Sequence, residues 1–446
     1  MNRINLNSRV LLKKVDEDDF HLYNLDTKDE ARINKDLKLI VELSSKNQDR
    51  LFLINKLKGI YPHHSLDDIS SLVNDSIDNL IQWGFLVENK TKNSKLIYIE
   101  RPNLDYQVEM IYLEVTKLCN LRCNHCYNQS SQDDLLISDQ MGLTQYLWVI
   151  DELCKKIGPI HYIITGGEPF VRKDIFNLIE YIYKKDVDFS IFTNGTLLGE
   201  DKIKQLKQYK PKFVAVSLDG VDNETNKIIR GNDSFYDVIN NIKLLTSNGL
   251  KVRINTTLMG GVNDTKEEIF KMLYFFDELG VNSVAVCGIN QTGRGKNMEG
   301  YYLNDNVAAI LRECFSEFNS RNLNEINYNQ SFKTSYEKAL NMTYCGLGTT
   351  TFMVKSNGDI VLCPMLYEDK HKAGNILNDD IVELWNNSSV FNDLRQNPFD
   401  SDGGCRECDV KHSCLGGCRA TVYEKTGSFI GPDKWFCGFY DKNVTT

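Results

Sequence analysis

Three of the thirteen cysteines in this 446-residue chain, Cys119, Cys123 and Cys126, stand in a C-x3-C-x2-C run. Three thiolates this close can cap three irons of a cubane and leave the fourth iron without a protein ligand. An open iron can chelate a small molecule and deliver an electron straight into it. A structural zinc site is the alternative, but it wants four ligands, and His125 is awkwardly placed to be the fourth because it adjoins Cys126. Seven more cysteines crowd the tail. Cys345, Gly358 and Cys363 form C-x12-G-x4-C, Cys405, Cys408, Cys414 and Cys418 form C-x2-C-x5-C-x3-C, and Cys437 follows. Clustered cysteines in a reducing compartment read as metal ligands, and a zinc-holding tail is the competing reading because C-x2-C pairs are common in zinc sites. The solitary Cys154, Cys287 and Cys314 are expected to be small buried hydrophobes.

These residues need a scaffold. Apolar runs at Met110–Val115, Tyr162–Ile164, Phe189–Phe192, Phe213–Leu218, Val252–Leu258 and Ser283–Val286 alternate with amphipathic stretches, such as the face made by Ile175, Leu178, Ile179 and Ile182. Strands alternating with helices predict a parallel sheet. Six such units predict a partial (β/α)6 TIM-like barrel over 108–300, with function on the loops after the strands. Polar and glycine-rich motifs sit there: Thr165-Gly166-Gly167-Glu168-Pro169, Thr193-Asn194-Gly195-Thr196, Ser217-Leu218-Asp219-Gly220 and Arg230-Gly231. Residues 1–100 read as an α+β module. Strands are expected at Val10–Leu12 and Phe20–Tyr23, helices around Leu37–Leu43, Leu51–Leu57 and Leu66–Phe85, and a wing from Leu86-Val87 and Leu96–Tyr98. That order describes a winged helix. A helical bridge (301–344) leads into the Cys-rich domain (345–446).

The cysteine run, followed in order by the glycine-rich motif and the strand-end polar residues, resembles the radical S-adenosylmethionine (SAM) superfamily over about residues 108–300. The resemblance implies that Cys119, Cys123 and Cys126 hold a catalytic [4Fe–4S] cluster. It also implies that SAM is bound by His125 beside the adenine, by Gly166, Gly167, Glu168 and Pro169 near the methionine amino group, and by Asn194, Ser217, Arg230 and Asn255. The tail is similar to the SPASM domain, in which Cys405, Cys408, Cys414 and Cys437 would close one auxiliary [4Fe–4S] cluster and Cys345, Cys363 and Cys418 would hold another. Three clusters follow in all. Sulfatase-maturating relatives carry an eighth cysteine where this chain has Thr351, which leaves one auxiliary position open to a substrate thiolate.

A formal net charge of −9, with 41% hydrophobic and 25% charged residues, gives no general basic field for nucleic acid. The helix from Leu66 is acidic, with Asp67, Asp68, Asp75 and Asp78, where a recognition helix would be basic. Position at the N-terminus of a SPASM enzyme implies instead a peptide-recognition element that captures a leader peptide by strand addition. No apolar stretch suits a signal peptide or a membrane span, so a cytoplasmic location is expected. The stretches Thr292-Gly293-Arg294-Gly295-Lys296 and Cys345-Gly346-Leu347-Gly348 most resemble thioether-forming maturases of the subtilosin type. The expected activity is hydrogen abstraction from a carbon of a ribosomally made precursor peptide and closure of a Cys-to-carbon thioether, with a flavodoxin- or ferredoxin-type electron donor. The alternatives are carbon–carbon crosslinking, formylglycine formation, or a zinc-containing peptide- or nucleic-acid-binding protein without catalysis.

Overall fold

A computed structural model describes the chain except for residues 1–2, 90–93, 101–103, 133–138, 305, 322–326, 329–345, 396–404, 415 and 441–446; of 321, 327–328, 412–413 and 439 only the main chain is described. The chain divides into two compact units, Met1–Gln107 and Val108–Thr446.

In the first unit, strands β1 (Arg3–Leu6), β2 (Arg9–Lys14), β3 (Phe20–Asn24) and β4 (Glu30–Ile33) precede helix α1 (Lys35–Ser44). Then come β5 (Gln48–Asp49), α2 (Arg50–Ile60), α3 (Leu66–Gln82), β6 (Leu86–Glu88) and β7 (Lys95–Ile99). Each helix starts at a side-chain cap: Asn34 accepts from Leu37 N, Asp49 from Phe52 N and Ser65 from Asp68 N. Such caps contribute about 1 kcal/mol each. The acidic turn after β2 closes through Val15 N to Asp19 O at 2.9 Å. Val10, Leu12, Phe20 and Leu22 from the sheet meet Leu53, Leu57, Val73, Ile77 and Leu80 from the helices in one core. The expected wing is corrected here. β6 pairs with β1 in a sheet of order β5-β1-β6, whereas β7 runs parallel to β2 in a sheet of order β4-β3-β2-β7. The physical reason is the short β1, whose buried Ile4 and Leu6 offer β6 an apolar partner.

The second unit is built on β8 (Met110–Glu114), β9 (His161–Thr165), β10 (Asp188–Thr193), β11 (Val214–Ser217), β12 (Val252–Leu258) and β13 (Ser283–Gly288). The helices between them are α4 (Leu143–Lys156), α5 (Ile175–Lys184), α6 (Glu200–Gln208), α7 (Asn223–Arg230), α8 (Phe235–Ser247) and α9 (Lys266–Glu278). All six strands are parallel and neighbours in chain order. They are the six expected from the apolar runs. Both faces of a parallel sheet are covered, which is why these strands read as continuous apolar runs. After α10 (Val307–Arg321) the sheet continues at both ends: β14 (Asn327–Tyr328) pairs with β13, and β15 (Thr351–Val354) runs parallel to β8. β16 (Asp359–Val361) and β17 (Lys372–Asn375) then add antiparallel strands. The order β14-β13-β12-β11-β10-β9-β8-β15-β16-β17 is linear, so the barrel is partial and the Cys-rich tail is stitched into its first strand. The tail adds α11 (Ile381–Asn387), α12 (Ser389–Leu394), α13 (Lys411–Cys414), α14 (Arg419–Thr426) and α15 (Lys434–Phe439). Register aligns Glu114 with Thr165, Thr193 with Val216, and Ser217 with Asn255, so the motif loops leave along one edge. Among the described residues no helix is long and apolar enough to cross a membrane.

Candidate active site

The loop after β8 carries Cys119 and Cys123, both buried, and Cys126, half-buried. Its path is fixed by main-chain bonds. Cys119 N donates to Ser131 O at 2.9 Å, and Asn124 N donates to Ile229 O of α7 at 2.8 Å. Burial drives the Cys119 thiol up to about 12, a push only partly offset by the Leu121 N–H, which lies 3.4 Å from the sulfur. Burial also raises Cys126. The polar neighbours are donors: Asn194 Nδ2 is 3.7 Å from Cys119 Sγ, and Arg230 Nη1 is 3.8 Å from Cys123 Sγ.

The glycine-rich motif after β9 packs on this same loop. Gly167 N donates to Thr116 O at 2.7 Å and Glu168 N to Leu118 O at 2.8 Å. A Cβ on Gly167 would stand 2.8 Å from Lys117 O and closer still to Leu118 O, so glycine is required by the close approach of two backbones. The expectation that Glu168 faces a ligand ammonium meets a different arrangement. Its carboxyl is fully buried and accepts from Thr193 Oγ1 (2.8 Å), Asn194 N (2.7 Å) and Phe170 N (3.1 Å). Glu168 thus ties the β9 loop to the end of β10, because burying a carboxyl demands donors and the β10 end supplies them. Burial pushes it up to about 7, against the pull of those donors. Pro169 opens a single turn of 3-10 helix, Pro169–Val171.

Arg230, at the end of α7, is buried and pairs with the fully buried Asp219 at 2.6 Å. Asp219 also accepts from Thr257 N at 2.7 Å. The guanidinium therefore lies between a carboxylate and the Cys123 sulfur, which is where a second anionic ligand would find it. Burial lowers His125 to about 4, with Arg230 adding to the effect, so its ring is neutral. Ser217 and Asn255 face each other across β11 and β12. Asn194, Arg230 and the cysteine loop are thus brought into contact, Glu168 joins them through Asn194, and Ser217 and Asn255 stand together one strand further on.

In the tail, Cys405 and Cys414 are buried, and Cys408 and Cys437 half-buried. Burial takes Cys414 up to about 12 and Cys437 to about 11; Cys405 and Cys437 add to the first, Cys405 and Cys408 to the second. These four thiols share one electrostatic neighbourhood, as the similarity to SPASM domains implies. Cys418 caps α14 and its N–H donates to Asp433 at 2.8 Å. Cys363 follows β16 and adds to the upward shift of the half-buried Tyr127, whose largest cause is desolvation. Cys345 lies outside the described residues.

Side chains to which the sequence assigned no role also shape the site. Glu114, the last residue of β8, is fully buried and accepts from Asn128 Nδ2 (3.1 Å), Ser356 N (2.9 Å) and Tyr367 OH (2.9 Å). Asn128 Oδ1 is 3.0 Å from Cys126 Sγ. A lone acid inside the otherwise apolar run Met110–Val115 is the signal that could have found it. Cys287, near the end of β13, is exposed and Cys154 half-buried, not buried as expected, whereas Cys314 is buried.

Among the described residues no group of three or more His, Cys, Asp or Glu side chains closes on one point as ligands of a single ion do. A cubane spreads its cysteines over separate irons, so its ligands need not converge. An all-sulfur set with too few ligands for structural zinc and a guanidinium close by suits an iron–sulfur cluster.

Residues 113–273 match the radical SAM superfamily, and residues 345–409 match SPASM, an iron–sulfur cluster-binding domain. The mycofactocin maturase MftC of Mycobacterium tuberculosis is 28% identical over 72% of this chain and 80% of its own length. AlbA, the antilisterial bacteriocin subtilosin biosynthesis protein of Bacillus subtilis, is 29% identical over 62% of this chain and 59% of its own. The crystal structure of Streptococcus suis SuiB bound to its precursor peptide SuiA superposes with a TM-score of 0.67 at 16% identity, covering 98% of this chain and 99% of that one. A radical SAM domain and a C-terminal SPASM domain are thus both found in this chain.

Proposed function

We propose that the protein is a peptide maturase that captures a precursor peptide through residues 1–100 and closes a thioether between a cysteine sulfur and a peptide carbon. The observation that carries the peptide reading is the extent of the likeness to SuiB, which covers 98% of this chain and so takes in the N-terminal unit. The likeness to the anSMEcpe structures with bound peptide stops at 74%. A relative named a mycofactocin maturase and another named a subtilosin biosynthesis protein support the same class.

Cys119, Cys123 and Cys126 would hold a [4Fe–4S] cluster whose open iron binds SAM, and that pair supplies one electron and a carbon radical when bound. The chain's own part is placement. Arg230, already balanced by Asp219 at 2.6 Å, offers its fork to the SAM carboxylate. Asn194, Ser217 and Asn255 present amide and hydroxyl groups to the nucleoside, and the neutral His125 offers an uncharged ring to the adenine. Glu168 holds the β9 and β10 loops together under them.

Cys405, Cys408, Cys414 and Cys437 would complete one auxiliary cluster, and Cys345, Cys363 and Cys418 would hold a second. Thr351, where sulfatase-maturating relatives have a cysteine, leaves the second set one ligand short and favours a thiol-bearing peptide over formylglycine formation. In the N-terminal unit, β4 is an outer strand of its sheet, a fit for a peptide added as a further strand. An external donor would supply the first electron, and an auxiliary cluster would take up the electron released, with loss of the thiol proton, as the carbon radical closes on sulfur.

Co-expression with a peptide encoded beside the gene, followed by mass spectrometry, tests the reading. A thioether requires loss of two mass units per link with one fewer alkylatable thiol. Loss of two units with every thiol still free would replace the thioether with a carbon–carbon link, and an unchanged peptide would remove the maturase reading.

A further inference from the structure

The stretch Thr292–Lys296 follows β13, far in sequence from the cysteine run, yet it folds onto it. Arg294 Nε donates to Cys123 O at 2.7 Å, Arg294 Nη2 to Ser130 O at 2.9 Å, and the Arg294 main-chain N to Cys126 O at 3.0 Å. One residue therefore holds three carbonyls that span the second and third cysteines and the turn beyond them. The residue before it makes this possible. Gly293 has φ +54°, and a Cβ there would lie 2.6 Å from the Tyr127 carbonyl carbon and closer still to the oxygens of Tyr127 and Cys126. Any other residue would push the loop away. Lys296 then pairs with Glu368 of the tail at 2.8 Å, which fixes the far end of the stretch.

We propose that Arg294 is a positioning residue for the first iron–sulfur site: its guanidinium fork sets the backbone of the Cys123–Ser130 turn, and with it the spacing of the cluster cysteines. This rests on the reading of Cys119, Cys123 and Cys126 as the cluster ligands. The fork shape matters because two carbonyls in different directions are bonded from one rigid plane, which a lysine ammonium on a flexible stem cannot reproduce. The charge matters too. Bonded to Cys123 O and Ser130 O, the guanidinium places a positive charge beside the site, and positive charge there favours the reduced, more negative state of a cluster. Two effects are thus separable: geometry, shared with Gly293, and charge, shared with lysine.

The test uses the full-length protein with its clusters reconstituted anaerobically, and follows the reduced-cluster EPR signal that changes on adding SAM. The variants are Arg294→Lys, Arg294→Gln and Gly293→Ala, read for midpoint potential, line shape and the rate of iron loss to a chelator, with no turnover required. Arg294→Gln should move the potential of that signal to more negative values and speed iron loss severalfold. Arg294→Lys should recover the potential but not the slow iron loss. Gly293→Ala should disturb the line shape although the charge is intact. The tail clusters report folding independently: their iron should stay in all three variants. Wild-type potential, line shape and iron retention in Arg294→Gln would overturn the proposal, as would equal loss of iron from the tail. If the wild type itself shows no SAM-responsive signal, it is the assignment of the cysteine run that fails instead.

Discussion

The Glu114 carboxyl is the buried joint between the cysteine loop and the tail, and its removal has a calculable cost. Three donors end on it: Asn128 Nδ2 from the loop, and Ser356 N and Tyr367 OH from the tail, at 3.1, 2.9 and 2.9 Å. Glu114→Ala leaves all three buried without an acceptor. At about 1–3 kcal/mol per orphaned donor the ceiling is about 3–9 kcal/mol, less where the groups share relaxation. That rivals the 5–15 kcal/mol of an entire domain, so Glu114→Ala should lack a stable second unit. Glu114→Gln keeps one acceptor oxygen and turns an amide towards a former donor, a loss of about 2 kcal/mol by the same arithmetic. Tyr367→Phe removes a single donor and should lose about 1 kcal/mol. Hydrogen exchange is the assay, because the Ser356 amide reports the bond directly and a multi-element unit need not melt in two states. Glu114→Gln should lower protection at Ser356 roughly 5- to 30-fold, the factor for one or two kcal/mol, with a smaller fall in Tyr367→Phe. Unchanged exchange in Glu114→Gln would show that the carboxyl does not join the two regions.

Other substitutions follow from the same geometry. Gly167→Ala places a methyl against Leu118 O and Lys117 O; reconstituted protein should lose iron from the first site while tail iron remains, as counted by iron analysis and EPR. Glu168 is raised from 4.5 to about 7 by burial, so between these values the folded chain binds more protons than the unfolded one and stability falls as pH rises. The loss is complete above about pH 7 and at most about 3 kcal/mol. Glu168→Gln should flatten that slope in denaturation of cluster-free protein at pH 5 and pH 8, and an unaltered slope would place the titration elsewhere. Asp219→Asn leaves the buried Arg230 without its counter-charge; breaking such a pair costs about 3–5 kcal/mol, and SAM affinity, measured by its effect on the EPR signal, should fall with it.

Much of this arrangement was legible in the residues. The six barrel strands were visible because strands buried on both faces are unbroken apolar runs, and the last helix of the first unit because Ile69, Leu72, Ile77 and Leu80 recur at spacings of three to five, although Leu72 is exposed and Val73 takes its place in the core. The first cysteine run stood out by its spacing, whereas the division of the tail cysteines between two clusters came only as what the resemblance to SPASM domains implies. What escaped were features set by partners distant in sequence. β15 reads as an isolated apolar tetrapeptide until it is seen paired with β8. The wing failed because the choice of partner for β6 was decided by β1, some eighty residues earlier. The resemblance implies Glu168 as a contact of the methionine amino group, and the bonds that Thr193 and Asn194 make to its carboxyl were not visible in the sequence. Arg294 carries no periodicity at all; its meaning lies in carbonyls more than 150 residues away.

The account stands on sulfur ligands that leave one iron free for SAM, and SAM scission reports this directly. Reconstituted wild type given dithionite should release 5′-deoxyadenosine, and the Cys119→Ala/Cys123→Ala/Cys126→Ala variant should release none while still binding the precursor peptide. Undiminished release from the triple variant would contradict the assignment of the site.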